Sequence, residues 1–183
     1  IIALLTGMAV MSVNKKQSTS SKNQPTNADM LKGSNPTEIT AEDVTYYKDV
    51  KGYYVRPKGN SPNGYPGVVM IHENRGLRPE IKQTAETLAK EGYQVLAVNL
   101  LGNTAEDQAG AKQLTANFNQ QDGVANMRAA VTYLREQGAT KIASWGWCFG
   151  GRQSVELATS GEPLDATIVY YGGNMKTKAD ELK

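Results

Sequence analysis

The chain has 183 residues, a formal net charge of +2, one cysteine and one histidine. That length accommodates one α/β domain with an appendage, and the near balance of charge gives no reason to expect nucleic-acid binding. A single cysteine excludes an internal disulfide framework or a cysteine-rich zinc site, and a single histidine excludes a multi-histidine metal centre; no metal or other cofactor is expected.

The first thirteen residues, Ile1 to Val13, form an apolar run too short to span a bilayer. They read as the end of a signal peptide or membrane anchor, which predicts an exported or membrane-anchored protein. Residues 14–42 read as a polar linker, dense in Ser, Thr, Asn, Gln and Lys with little apolar surface to bury. Lys15, Lys16 and Lys22 could rest on anionic headgroups if the anchor is retained, but a solvated tether is the preferred account of them.

From Asp43 the texture is that of a folded domain, residues 43–183. Val44–Tyr47 and Tyr53–Arg56 are β-prone runs flanking a turn, which predicts an opening hairpin. Val68–Ile71 and Val95–Val98 are continuous apolar runs, as in strands buried on both faces. Between them Pro79 opens a helix with Ile81, Ala85, Leu88 and Ala89 on one side and Gly92 as its stop. Thr104 is the expected cap of a weaker helix anchored by Leu114 and Phe118. Asp122 is the expected cap of a stronger one, with Val124, Met127, Val131 and Leu134 in a stripe and Gly138 at its end. A short strand then leads into Trp145-Gly146-Trp147-Cys148-Phe149-Gly150-Gly151, a helix follows from Arg152 to Ser160, and a last strand covers Ala166–Tyr171. Alternating strands and helices predict a mostly parallel sheet with helices on both faces, whose site lies at the carboxyl ends of the strands.

Two stretches carry chemistry to that edge. Gly-x-Cys-x-Gly-Gly at a strand-to-helix corner has the requirements of a nucleophile elbow: small neighbours let the chain turn sharply and lift the Cys148 side chain above the sheet. The helix N-terminus beside it favours both a thiolate and an oxyanion. The backbone N–H of Phe149 is the expected oxyanion donor. Its partner is the N–H of Asn74, in the loop His72-Glu73-Asn74-Arg75-Gly76 after the earlier buried strand. Glu73 is placed to govern protonation of Cys148; alternatively Glu73 and Arg75 form a local ion pair that shapes the loop. His72 stands at a strand end but precedes the nucleophile, whereas triads of this kind run nucleophile, acid, histidine, so a supporting role beside the site is expected of it rather than that of base. No histidine follows Cys148, and Asp165 precedes the last strand instead of following it. The same motif also fits an inert buried cysteine at a glycine-rich strand end.

Val69-Met70-Ile71-His72-Glu73-Asn74-Arg75-Gly76-Leu77, Glu91-Gly92-Tyr93, Gly146-Trp147-Cys148-Phe149-Gly150-Gly151 and Val169-Tyr170-Tyr171-Gly172 together resemble the dienelactone hydrolase family, in particular an often exported subgroup with His-Glu-Asn-Arg-Gly. The resemblance covers about residues 44–174. It implies an α/β-hydrolase fold and a Cys-His-Asp triad acting on small esters or lactones. Cys148 would be the nucleophile, Glu73 the carboxylate that holds the resting thiol, and Phe149 and Asn74 the oxyanion donors. It further implies that the last strands of the family, with the triad Asp and His, lie beyond Lys183, so that this chain alone does not turn over substrate. The arginine that dienelactone-cleaving members carry after the fourth strand has no counterpart between Asn103 and Gln121. A non-catalytic exported binding domain and a redox-sensing thiol protein are the competing readings; oligomeric state is not legible.

Overall fold

The computed structural model describes residues 38–173. The apolar N-terminal run, nearly all of the linker and residues 174–183 lie outside the described residues, and with them the expectations of export and anchoring.

The hairpin forms as β1 (Ile39–Tyr47) and β2 (Val50–Pro57), joined by a two-residue turn in which Lys48 takes φ 46°. A left-handed φ in so short a turn matches the twist of the two strands. Pairing runs from Ile39 opposite Pro57, so β1 begins four residues before the change of texture at Asp43. The short alternation at its start was too weak a signal to read from sequence. The sheet continues with β3 (Gly67–Ile71), β4 (Gln94–Val98), β5 (Ile142–Gly146) and β6 (Ala166–Val169), in the order β1-β2-β4-β3-β5-β6. β3, β4, β5 and β6 are mutually parallel where they pair, while β2 meets β4 antiparallel.

β3 and β4 are buried at every position, and alternate residues feed two cores. Val68, Met70, Val95 and Ala97 pack under α1 (Pro79–Lys90) through Ile81, Ala85 and Ala89. Val69, Ile71, Leu96 and Val98 pack on the opposite face against Met127, Val131 and Leu134 of α3 (Gln120–Glu136) and Leu157 of α4 (Phe149–Thr159). Covering both faces is what makes a continuous apolar strand stable, and truncating one such fully buried leucine to alanine costs about 2–5 kcal/mol.

Two helix starts differ from expectation. α2 (Gln108–Ala116) is capped by Asp107, whose carboxylate accepts the Gly110 N–H, rather than by Thr104. α3 is capped by Asn119, which accepts the Asp122 N–H at 3.0 Å. Asp122 instead sits in the first turn, accepting from Lys48 and Tyr47 of the hairpin. A residue satisfied by tertiary partners need not cap its own helix.

Candidate active site

β5 ends at Gly146 and α4 begins at Phe149, leaving a two-residue corner. There Cys148 adopts φ 56° and ψ −120°. A side chain in that left-handed region is strained by about 1–3 kcal/mol, so the surroundings must over-determine it. They do so by close approach: a Cβ on Gly146 would overlap the Gly150 carbonyl, and one on Gly150 would overlap the carbonyls of Ile71 and His72. The elbow helix therefore backs directly onto the exit of β3. The thiol is half-buried, and no hydrogen bond or ion pair engages it among the described residues. Arg152 N–H reaches the Cys148 carbonyl at 3.3 Å, so the Phe149 amide precedes the first helical hydrogen bond and has no partner among the described residues.

His72 is fully buried where β3 ends. Its Nδ1 lies 2.6 Å from the Glu73 carbonyl and its Nε2 lies 3.1 Å from the Leu100 N–H. A carbonyl can only accept and an amide N–H can only donate, which assigns the neutral tautomer with the proton on Nδ1. Burial pushes the imidazole down to about 4, so it stays neutral at any pH where a thiolate works. With both nitrogens engaged, His72 has none left to take a proton from Cys148, in line with its position before the nucleophile. Its ring lies parallel to that of Phe149, with centroids 6.2 Å apart, and Phe118 meets the same Phe149 ring edge-on at 5.0 Å.

The loop that follows is strapped to the exit of β4. Ala105 N–H donates to the Arg75 carbonyl at 3.0 Å, and Gly76, at φ 87°, leaves no room for a Cβ beside the Asn103 carbonyl. The Asn74 side chain points to Gln108 at the start of α2, 3.4 Å away, while its backbone N–H has no partner among the described residues. The ion pair between Glu73 and Arg75 does not form: Arg78 takes that role, with Glu80 at 3.1 Å and Glu106 at 3.9 Å. Glu73 makes no side-chain hydrogen bond to Cys148. Glu73 and Arg75 line a cleft of about 580 Å³ together with Arg78, Trp145, Trp147 and Tyr170. Trp145 Nε1 and Arg75 Nε are buried there without a partner among the described residues. Trp145 on β5 and Trp147 in the corner after it pack ring to ring at 5.5 Å, a pair that the sequence reading did not assign. Asp165 accepts the Ile142 N–H at 2.8 Å, a structural tie between β6 and β5. No cluster of three potential metal ligands occurs among the described residues.

The family model described as "Dienelactone hydrolase family" matches residues 50–183. The chain belongs to the dienelactone hydrolase family. Among curated proteins it is 36% identical over 143 residues to Protein usf of Aquifex pyrophilus, covering 72% of this chain and 60% of that one. It is 27% identical over 129 residues to the carboxymethylenebutenolidase of Pseudomonas putida, covering 64% of this chain and 54% of that one. The chain thus spans little more than half the length of these relatives. Among solved structures, a dienelactone hydrolase-like promiscuous phosphotriesterase from metagenomic libraries superposes with a TM-score of 0.68 at 29% identity, over 78% of this chain and 63% of the other. The mixed sheet with helices on both faces is accordingly the α/β-hydrolase arrangement of this family.

Proposed function

We propose that the protein hydrolyses small carboxylic esters or lactones through a thioester on Cys148. The observation that carries this is the backbone of Cys148, held at φ 56° between a strand end and a helix N-terminus. Such strain needs a reason, and lifting a nucleophile clear of the sheet supplies one. Relatives named as carboxymethylenebutenolidases add support.

In the proposed acylation the Cys148 thiolate attacks the carbonyl carbon. The carbonyl electron pair moves onto oxygen, and the oxyanion is met by the N–H groups of Phe149 and Asn74. The pair then returns, the C–O bond to the alcohol breaks, and the alkoxide leaves with a proton from solvent or a neighbouring acid. In a lactone the leaving oxygen remains tethered to the acyl group. Glu73, in the loop after β3, is the proposed restraint on the resting thiol. Hydrolysis of the thioester requires a base to activate water. His72, with both nitrogens committed, does not serve, so among the residues of this chain the acylation half is the part with assigned groups.

The test is incubation of the 183-residue chain with one equivalent of 4-nitrophenyl acetate, reading nitrophenolate release and intact mass. One nitrophenolate per chain is expected, with the acetyl group on Cys148, and none from Cys148→Ala. Acetylation confined to lysines, or an equal release from Cys148→Ala, would remove the hydrolase assignment. Sustained turnover by the 183-residue chain would mean that a base for deacylation is present among its residues and was misassigned.

A further inference from the structure

The geometry points to His72 as the positioning residue that sets the spacing of the two oxyanion donors, by tying the exits of β3, β4 and β5 to one another. This role rests on the ester hydrolase function proposed above, and it concerns a residue that touches neither thiol nor substrate.

Three contacts define it. Nδ1–H donates to the carbonyl of Glu73, whose own C–N bond leads directly to the Asn74 N–H. Holding that carbonyl, which also accepts the Gly76 N–H at a longer 3.3 Å, fixes the peptide plane that carries the donor, because the peptide unit is rigid. Nε2 accepts from Leu100 N–H, 28 residues away, and thereby anchors the ring to the exit of β4. The ring face lies parallel to Phe149, the residue that supplies the other donor. The three contacts leave the imidazole little freedom: rotation by half a turn about χ2 would break both hydrogen bonds. The backbone agrees, since the His72 carbonyl lies where Gly150 could carry no side chain. Loop and elbow are thus fitted to each other on both sides of His72. The nearby strap from Ala105 to Arg75 holds the far end of the same loop. A buried imidazole with both nitrogens satisfied is costly to replace. Any isosteric apolar ring would leave the Leu100 N–H without its acceptor and the Glu73 carbonyl with only the Gly76 N–H, at 3.3 Å.

An oxyanion donor works only if aimed where the charge develops, and removal of one donor lowers rates by about 10²–10³. Misplacing a donor should cost less than removing it. Acylation of Cys148 by 4-nitrophenyl acetate forms an oxyanion; alkylation by iodoacetamide displaces iodide and forms none. The ratio of the two rates therefore reads the donors and cancels changes in thiol exposure or ionisation. The experiment measures both rates at pH 7.5 for the 183-residue chain and for His72→Asn, His72→Gln and His72→Leu. Asn can keep the bond to Glu73, Gln can keep the bond to Leu100, and Leu keeps neither. The expected result is an acylation-to-alkylation ratio lowered roughly tenfold or more in His72→Leu and by less in the other two. Alkylation itself should stay within about twofold of the parent. A ratio unchanged in a folded His72→Leu, or acylation and alkylation falling together, would overturn the positioning role and leave the hydrolase assignment standing. Amide exchange of the parent decides the case if the variants do not fold or if the parent is not acylated. Leu100 N–H, although outside a strand, should then exchange at least a hundredfold more slowly than Asn103 N–H, which is exposed and has no partner among the described residues. Equal exchange of the two would refute the brace whatever the chemistry of Cys148.

Discussion

The exits of β3 and β6 flank the elbow at the same edge of the sheet and differ sharply in how they are held. At the β3 exit His72 is wholly buried, and its ring, its carbonyl and the loop after it are joined to β4 and α4. At the β6 exit Tyr170 is 73% and Tyr171 57% exposed, and Ile168 on the strand itself is 45% exposed. The backbone of that exit is tied to β5 by the bond from Tyr170 N–H to the Gly146 carbonyl and approaches α4 closely, since a Cβ on Gly151 would overlap the Tyr171 carbonyl, so the difference from β3 lies in the side chains. The edge with Cys148, Phe149 and Asn74 is therefore held by many contacts among the described residues, 38–173. The β6 side presents aromatic surface with few partners among those residues.

The contrast gives predictions of decreasing size. The largest effect should come from Gly150→Ala, which drives a methyl into two backbone carbonyls at the β3 exit. It should cost more than about 3 kcal/mol or prevent folding, read from the midpoint of urea unfolding. An unfolding midpoint within error of the parent would mean that the elbow is not clamped as described.

Next comes acid sensitivity. His72 titrates near 4 when folded, below the ordinary 6.5 of the unfolded chain. Between these values the unfolded chain binds the proton and the folded one does not, so stability is fully present above 6.5 and declines as pH falls toward 4. The loss from this one group is roughly 3 kcal/mol across the window. His72→Gln, which cannot titrate, should show a distinctly flatter dependence of the urea midpoint over that range. Parallel profiles would show that His72 is not the buried group responsible.

A smaller effect is expected at Glu73. If its carboxylate restrains the thiolate of Cys148, Glu73→Gln should raise the iodoacetamide rate at pH 7 about two- to threefold. No change or a decrease would separate Glu73 from the thiol and leave it as a wall of the cleft. Smallest of all, Tyr170→Ser at the open exit should alter the urea midpoint of the 183-residue chain by less than about 0.5 kcal/mol equivalent. A large loss there would erase the difference between the two exits.

Much of the architecture was legible along the chain. Val68–Ile71 and Val95–Val98 could only be strands covered on both sides, Pro79 and Gly92 bracketed α1, and the glycines around Cys148 announced the corner. These signals are local: periodicity, backbone freedom and capping depend on residues within a few positions of one another. The resemblance to the dienelactone hydrolases rested on the same local blocks, and the family match bears it out.

Tertiary structure decided what depends on distant partners. Asp122 was free to be a cap until Lys48 and Tyr47, more than seventy residues earlier, claimed its carboxylate and left Asn119 to close α3. Arg78 rather than Arg75 found the acidic partners, because the loop curls its own chain toward Glu80 and Glu106. Trp145 and Trp147 came to line a cleft only once α1 and the β3 exit were packed beside β5. The sequence alone determined that a lone histidine stands at the end of a buried strand, upstream of the only cysteine. What it does there was settled by Leu100 and Phe149. An imidazole has two nitrogens and two faces, and only the packed chain decides what each of them meets.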